Sequence, residues 1–307
     1  MTDPGQITAA AAGTWTLGDL TVNRMGFGAM RLPQTGQALA AAAASRDRAQ
    51  AIAVLRRAVE LGVNHIDTAA FYFSPLRSAN ELINSALAPY PDDLVIVTKV
   101  GPARDPSGQW APRATPQQLR GQVEENLRQL GRDYLDVVNL RVMPAMTSLA
   151  EHFGALAALR EAGLIRHLGV SGVTPEQLAE AQTVAPVVCV QNRYFLGAST
   201  EEHEFADACG KQGIAFVPFF SIAGAGRGAG VSGPEHEEVL AVARAHGATA
   251  AQVRLAWTLG RGPHMLVIPG TGDPAHLAAN VAAAALRLTA AEAARLTSLR
   301  KPQGTES

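Results

Sequence analysis

Met25-Gly26-Phe27-Gly28-Ala29-Met30-Arg31 is the stretch on which the fold turns. It opens as a short apolar strand and carries two glycines, as the first strand and turn of an open dinucleotide-binding sheet would. Such a sheet needs Gly-x-Gly-x-x-Gly leading into a helix, with an acidic residue about 20 positions further on. Here Arg31 stands in place of the third glycine, and no helical pattern follows promptly. Short β-branched runs then alternate with helical patterns of roughly 10–15 residues, the order of βα units around a parallel sheet. The pattern predicts eight strands, at residues 25–29, 65–68, 94–100, 135–140, 167–171, 187–191, 215–219 and 265–268. Lacking the dinucleotide fingerprint, they are expected to close into a (β/α)8 TIM barrel, an α/β fold that uses about 250 residues as one domain.

Outward from this series, residues 14–23 alternate apolar and polar side chains around Gly18-Asp19, which predicts an N-terminal β-hairpin. Thr115-Pro116 and Thr174-Pro175 read as helix starts, and Gly163 and Gly210 as helix ends. A helical pattern over 289–299 adds a C-terminal helix beyond the barrel units. The expectation is one domain over residues 14–300, with disordered tails at 1–13 and 301–307. The Gly-rich stretch 221–237 reads as a mobile loop able to close over a ligand.

Hydrophobic residues make up 47% of the chain and charged residues 17%, enough apolar material for a large core. A net charge of −1 without a Lys/Arg run argues against nucleic acid or an anionic membrane as partner, and in favour of a small molecule. Cys189 and Cys209 are too few for a disulfide framework or a zinc site, so no metal is expected. No secretory pattern opens the chain and no apolar run approaches the roughly 20 residues of a membrane span. The expected location is cytoplasmic. No interface pattern is legible, so the sequence does not give the oligomeric state.

Barrel enzymes carry their chemistry at the C-terminal ends of the strands. There the sequence offers Asp67-Thr68 leading to Tyr72, Thr98-Lys99, Asn139-Leu140-Arg141, Ser171 and Gln191-Asn192. Lys99 within Val-Ile-Val-Thr-Lys-Val is costly at the end of a buried strand unless paired. Asp67 alone reads equally as a cap, Tyr72 as a packed aromatic, and Arg141 as a structural ion-pair residue. Together, a carboxylate, an ammonium and a phenol suit one chemistry. The ammonium favours tyrosinate and lowers the phenol pKa from about 10 towards neutrality. The phenol then serves as general acid for a carbonyl oxygen that gains negative charge.

This set resembles the aldo-keto reductase family over nearly the whole chain. The motifs that carry the resemblance are Gly26-Phe-Gly-Ala29, Asn64-His-Ile-Asp-Thr-Ala69 with Tyr72, Val97-Thr-Lys99, Gly169-Val-Ser171, Gln191 and Ile268-Pro-Gly-Thr271. Residues 135–143, 188–192 and 217–220 are similar to a bacterial branch that includes pyridoxal reductases, which suggests an aromatic aldehyde as substrate. The resemblance implies an NADP(H)-dependent carbonyl reductase with Tyr72 as proton donor, Lys99 as its partner, Asp67 as the lysine's anchor and Arg141 as a charge beside the carbonyl oxygen. Ser171 and Gln191 would bind the nicotinamide carboxamide and Phe219 would stack on its ring. Gly28, Phe220, Ser221, Ile222 and Gly224 would line the cofactor, with Gly270, Thr271, His276 and Asn280 beside the adenosine.

Three departures from the family pattern stand out. Arg141 replaces the usual histidine, Gly172 replaces the asparagine after the serine, and Asp273 lies where a basic residue usually grips the 2′-phosphate. The last keeps NAD(H) as the alternative cofactor. Two other readings fit the same fold: a nicotinamide-binding regulatory module without turnover, and an aldolase using Lys99 as Schiff-base nucleophile. The intact Asp67, Tyr72 and Lys99 favour the reductase.

Overall fold

The chain enters through the hairpin β1 (Thr14–Leu17) and β2 (Leu20–Asn23), which turns at Gly18 with φ +68°. A computed structural model describes residues 6–37, 39–41, 43–111, 114–143, 146, 148–222 and 235–299. The barrel strands β3 (Phe27–Gly28) and β4 (His65–Asp67) come next, then a small hairpin of β5 (Phe73–Ser74) and β6 (Arg77–Ser78). β7 (Val95–Val100), β8 (Leu135–Arg141), β9 (Ile165–Ser171), β10 (Val187–Gln191) and β11 (Ala215–Phe216) continue the barrel. β3, β4 and β7–β11 form one parallel sheet in the order β11-β10-β9-β8-β7-β4-β3.

The eighth expected strand survives as two bridges that close the ring. Met265 pairs with Phe216 on one side and Val267 with Met25 on the other. Leu266 N–H donates to Phe216 O at 3.0 Å and Gly26 N–H to Val267 O at 2.8 Å. The regular ladder of the seventh strand stops at Phe216, but pairing on the β10 side runs on to Phe219: Val217 N–H donates to Val190 O at 2.8 Å, Phe219 N–H to Asn192 O at 3.0 Å, and Phe219 bridges Arg193, while Pro218 between them has no N–H to donate.

Alternation along the strands produces two apolar layers. Ile96, Val138, Leu140, Val170 and Val190 face outward and pack with the helices. Val95, Val97, Val137, Cys189, Ala215, Val217 and Leu266 face inward, and Leu17 and Val22 of the entry hairpin join them. The hairpin thus stoppers one end of the barrel, and each fully buried side chain of this kind contributes roughly 1.5–3 kcal/mol. The chemistry is left to the other end.

The outer ring is α1 (Arg48–Glu60), α2 (Ala79–Leu87), α3 (Pro116–Leu130), α4 (Ala150–Glu161), α5 (Pro175–Val184), α6 (Thr200–Lys211), α7 (Glu237–Ala245) and α8 (Ala250–Gly260). α9 (Pro274–Ala282) and the expected C-terminal helix α10 (Ala290–Thr297) complete it. Thr115 and Thr174 cap α3 and α5 in capping boxes with Gln118 and Gln177. Gly163 follows α4 at φ +80°, as expected of a terminating glycine. Gly210 does not end a helix: it lies inside α6, where the ring of His264 occupies the place of a Cβ.

The N-terminal tail is also shorter than expected. Ala9–Ala12 form a 3-10 helix with Ala9 fully buried, and Ala9 N–H donates to Leu61 O at 2.8 Å. Residues 301–307 and most of the expected loop, 223–234, lie outside the described residues. Among the described residues no helix is long and apolar enough to cross a membrane.

His65 at the start of β4 is buried, and burial first, then Lys99, holds its imidazole at about 4 against an ordinary 6.5. In the window between those values the unfolded chain binds a proton that the folded chain refuses. Stability is therefore complete above 6.5 and falls on acidification towards 4, by about 3 kcal/mol for this group. Urea unfolding across that window is expected to show a steeper acid loss in the native protein than in His65→Gln. Equal slopes would assign the loss to other groups.

Candidate active site

The last turns of β4 and β7 bring a carboxylate and an ammonium together. Lys99 Nζ donates to Asp67 Oδ1 at 2.6 Å, to Asp67 Oδ2 at 2.7 Å and to Thr68 O at 3.0 Å. Both side chains are about 5% exposed. Burial opposes the lysine's charge, yet the field of Asp67 and the contact with Tyr72 outweigh it and raise the ammonium pKa above its ordinary value. Lys99 is therefore a permanent cation, which disfavours its use as a Schiff-base nucleophile.

Buried hydrogen bonds on the outer face of these strands hold their ends in place. Thr68 Oγ1 donates to Asn80 Oδ1 at 2.7 Å, Asn80 Nδ2 to Asn126 Oδ1 at 2.9 Å and Thr98 Oγ1 to the same oxygen at 2.6 Å. Asn80 lies on α2 and Asn126 on α3, so two helices are tied to the strand ends that carry Asp67 and Lys99. Inside the barrel, Gln191 Nε2 donates to Asp67 Oδ2 at 2.9 Å and Gln191 Oε1 accepts from Asn139 Nδ2 at 3.3 Å. The Cys189 thiol donates to Asn139 Oδ1 at 3.2 Å, and burial pushes that thiol up to about 12.

Tyr72 follows β4 in a tight turn, its N–H donating to Ala69 O at 3.0 Å. Lys99 Nζ lies 5.1 Å from the centre of its ring. The phenol is 7% exposed and meets the edge of Phe71 with centroids 5.1 Å apart. Burial raises its pKa, and the opposing pull of Lys99 and Arg141 does not reverse the shift. This corrects the sequence expectation of a pKa lowered towards neutrality: the side chain is a neutral phenol at physiological pH. A neutral phenol is the form that can give up a proton.

These groups open into a cavity of about 870 Å³, towards the upper end of the range for small-molecule sites. Asp67, Tyr72, Lys99, Arg141, Ser171 and Gln191 share its lining with Gly28, Phe219, Phe220, Ser221, Ile222, Gly270 and His276. Phe220 adopts φ +65°, an uncommon conformation for a bulky residue, at the point where the chain turns along this wall. Phe71, Trp110 and Met143 form an apolar flank, and the Trp110 ring packs 5.8 Å from that of Phe71.

The match to a family model is decisive in this setting: residues 24–301 match the model of the aldo/keto reductase family. The chain belongs to the aldo/keto reductase family. It is 46% identical to pyridoxine 4-dehydrogenase of Escherichia coli (strain K12) over 286 residues, covering 91% of this chain and 95% of that one. It is 37% identical to an uncharacterized oxidoreductase, C215.11c, of Schizosaccharomyces pombe, covering 94% and 90%. The aldo/keto reductase of Klebsiella pneumoniae solved in complex with NADP and acetate superposes with a TM-score of 0.73 at 28% identity, covering 93% of this chain and 94% of that one.

Three residues that departed from the reductase pattern acquire local explanations. Arg141 ends β8, and its Nη1 donates to Ser171 Oγ at 3.1 Å while its Cζ lies 4.9 Å over the Phe219 ring. Gly172 lies against that guanidinium at φ +71°. Asp273 caps α9, accepting from Ala275 N–H at 2.7 Å and His276 N–H at 3.2 Å, which holds its carboxyl below the ordinary value. Arg46 lies alongside and donates to Gly272 O at 3.4 Å.

Of the other expected cofactor residues, Thr271 and Asn280 are buried and lie outside the cavity lining. The Thr271 hydroxyl accepts from Asp273 N–H at 3.1 Å. Gly224 lies outside the described residues. Sequence reasoning gave no role to Asn80, Asn126 or Asn139; their one signal is a polar side chain inside an otherwise apolar helix face or strand.

Proposed function

We propose that this reductase uses NADPH to convert an aromatic aldehyde of the pyridoxal type into its alcohol, with Tyr72 as proton donor. The observation that carries the reading is the Lys99–Asp67 pair, buried at the foot of the cavity beside a neutral phenol. The same cavity suits an elongated nicotinamide dinucleotide: Phe219 offers a ring face, Ser171 and Gln191 polar groups, and Gly28, Ser221, Gly270 and His276 continue the wall. When bound, the reduced nicotinamide supplies the hydride.

The chain's own residues do the rest. Tyr72 donates its hydroxyl proton to the carbonyl oxygen, which relieves the negative charge that develops there. Lys99 stabilises the resulting tyrosinate, and Asp67 keeps Lys99 charged and directed. Arg141 adds a second cation at the same end, one that donates hydrogen bonds but does not exchange its proton. Phe71, Trp110 and Met143 offer the flat apolar surface that an aromatic ring prefers.

Pyridoxal as substrate rests on the E. coli relative, which is named for pyridoxine oxidation at the 4-position. NADP(H) rests on the Klebsiella complex and on the local charge, because Asp273 is engaged as a helix cap with Arg46 beside it. Cys189 and Cys209 are free and buried, which suits a cytoplasmic, reducing location.

A panel of carbonyl compounds including pyridoxal, assayed with both cofactors, tests the reading. Aldehyde-dependent oxidation of NADPH is expected, with NADPH bound about tenfold or more tighter than NADH at moderate salt. Quenching of cofactor fluorescence without turnover of any aldehyde would favour a regulatory binding module instead.

A further inference from the structure

Two guanidiniums line this cavity without a carboxylate partner among the described residues, Arg31 and Arg141, and Arg141 is the one set against Ser171 and Phe219. The charge of Asp67 is matched by Lys99, whereas among the described residues no carboxylate pairs with Arg141. Its contacts are a neutral hydroxyl, Ser171 Oγ at 3.1 Å, and the face of Phe219 at 4.9 Å. A largely desolvated guanidinium without a counter-charge is costly, and several of its N–H donors remain for a ligand.

Gly172 is the steric condition for this placement. A Cβ built there would lie 2.8 Å from Arg141 Nη1, 3.1 Å from its Cζ and 3.2 Å from Val142 O. The guanidinium thus fills the space a side chain at position 172 would take. A larger residue would displace it from its place against Ser171. Asn192 fixes the turn from behind, its Oδ1 accepting from Gly172 N–H at 2.8 Å and Val173 N–H at 3.0 Å. Arg141 and Gly172 are therefore one device made of two residues.

We infer that Arg141, seated by Gly172, reads an ionised oxygen next to the reacting carbonyl, so that the preferred substrates are carbonyl compounds with an oxyanion on the neighbouring carbon, such as ortho-oxido aromatic aldehydes. The inference rests on the reductase reading above and adds the substrate feature that the site selects. A carbonyl oxygen directed at Tyr72 brings an ortho oxygen alongside it. Two oxygens side by side match the edge of a guanidinium better than a single charge matches an ammonium. The apolar flank of Phe71, Trp110 and Met143 accommodates the ring that carries them.

The test compares 2-hydroxybenzaldehyde with 4-hydroxybenzaldehyde, both ionised at mildly alkaline pH, in the native enzyme, Arg141→Gln, Gly172→Asn and the double variant. The para isomer controls for the lower reactivity of an electron-rich aldehyde. The native enzyme is expected to favour the ortho isomer in kcat/KM by about tenfold or more, the effect of one well-made charge-assisted contact. Each single variant is expected to lose that ratio, and the double variant to lose no more than either one, because both remove the same contact.

NADPH affinity, read by fluorescence, is expected to stay close to the native value in Gly172→Asn. An ortho-to-para ratio unchanged in both single variants overturns the inference. So does a loss shared equally by the two aldehydes together with weakened NADPH binding, which would make Arg141 a cofactor ligand. Absence of turnover with every aldehyde in the native enzyme overturns the reductase reading, and this inference with it.

Discussion

Tyr72→Phe is expected to lower kcat for aldehyde reduction by about 10²–10⁴-fold, the range typical of a lost general acid. The ring packs edge-on to Phe71 and against the Lys99 ammonium, and a phenylalanine keeps both contacts. The fold and NADPH affinity are therefore expected to survive, so the loss falls on turnover rather than on binding. Fluorescence titration of NADPH and steady-state kinetics on the same preparation separate the two. Near-native kcat would remove Tyr72 from the role of acid.

The second large effect belongs to the ion pair. Lys99→Met takes away the charge that stabilises tyrosinate and leaves the Asp67 carboxylate buried, with Gln191 Nε2 as its remaining side-chain donor among the described residues. A fall in kcat of about 10²–10³-fold is expected, comparable to loss of a preorganised stabilising donor. Breaking one side of a buried pair also destabilises by about 3–5 kcal/mol, since the other charge stays desolvated. The combined variant Asp67→Asn with Lys99→Met removes that stranded charge. It is expected to recover much of the stability in urea unfolding and none of the activity. Recovery of activity would show that Lys99 acts only by holding the fold together.

Much of this site was legible because its residues interrupt strong local patterns. A lysine in Val-Ile-Val-Thr-Lys-Val has no bland explanation, and period-2 alternation already points Val95, Val97 and Lys99 to one side. The eight-unit order followed from the strand–helix rhythm, and the missing third glycine after β3 separated barrel from open sheet. Strand lengths were less readable. Beyond Phe216 the seventh strand pairs only through single contacts around Pro218, and the eighth is held by two bridges rather than a continuous ladder.

Other features depend on three-dimensional burial, which sequence spacing does not contain. The direction of the Tyr72 shift is one: the ammonium's pull is apparent from residue types, while the larger opposing effect of desolvation appears only once the ring is enclosed. The Asn80–Asn126 network joins residues 46 positions apart. The pairing of Arg141 with Gly172 links what look like two unrelated departures from a family pattern, because the contact between their strand ends is made by the barrel. Ala9–Ala12 read as tail, since a short alanine run gives no period, yet small side chains are what that close packing requires.

Turnover requires a phenol that stays protonated until the carbonyl oxygen takes its hydrogen. Single-turnover reduction of a non-ionising aromatic aldehyde, followed by stopped flow from neutral to strongly alkaline pH, tests this directly. The rate is predicted to remain level through neutrality and to fall only above the ordinary tyrosine value of 10.0. A decline centred near pH 7 that disappears in Tyr72→Phe would contradict it, because the side chain would then already be ionised when the aldehyde arrives.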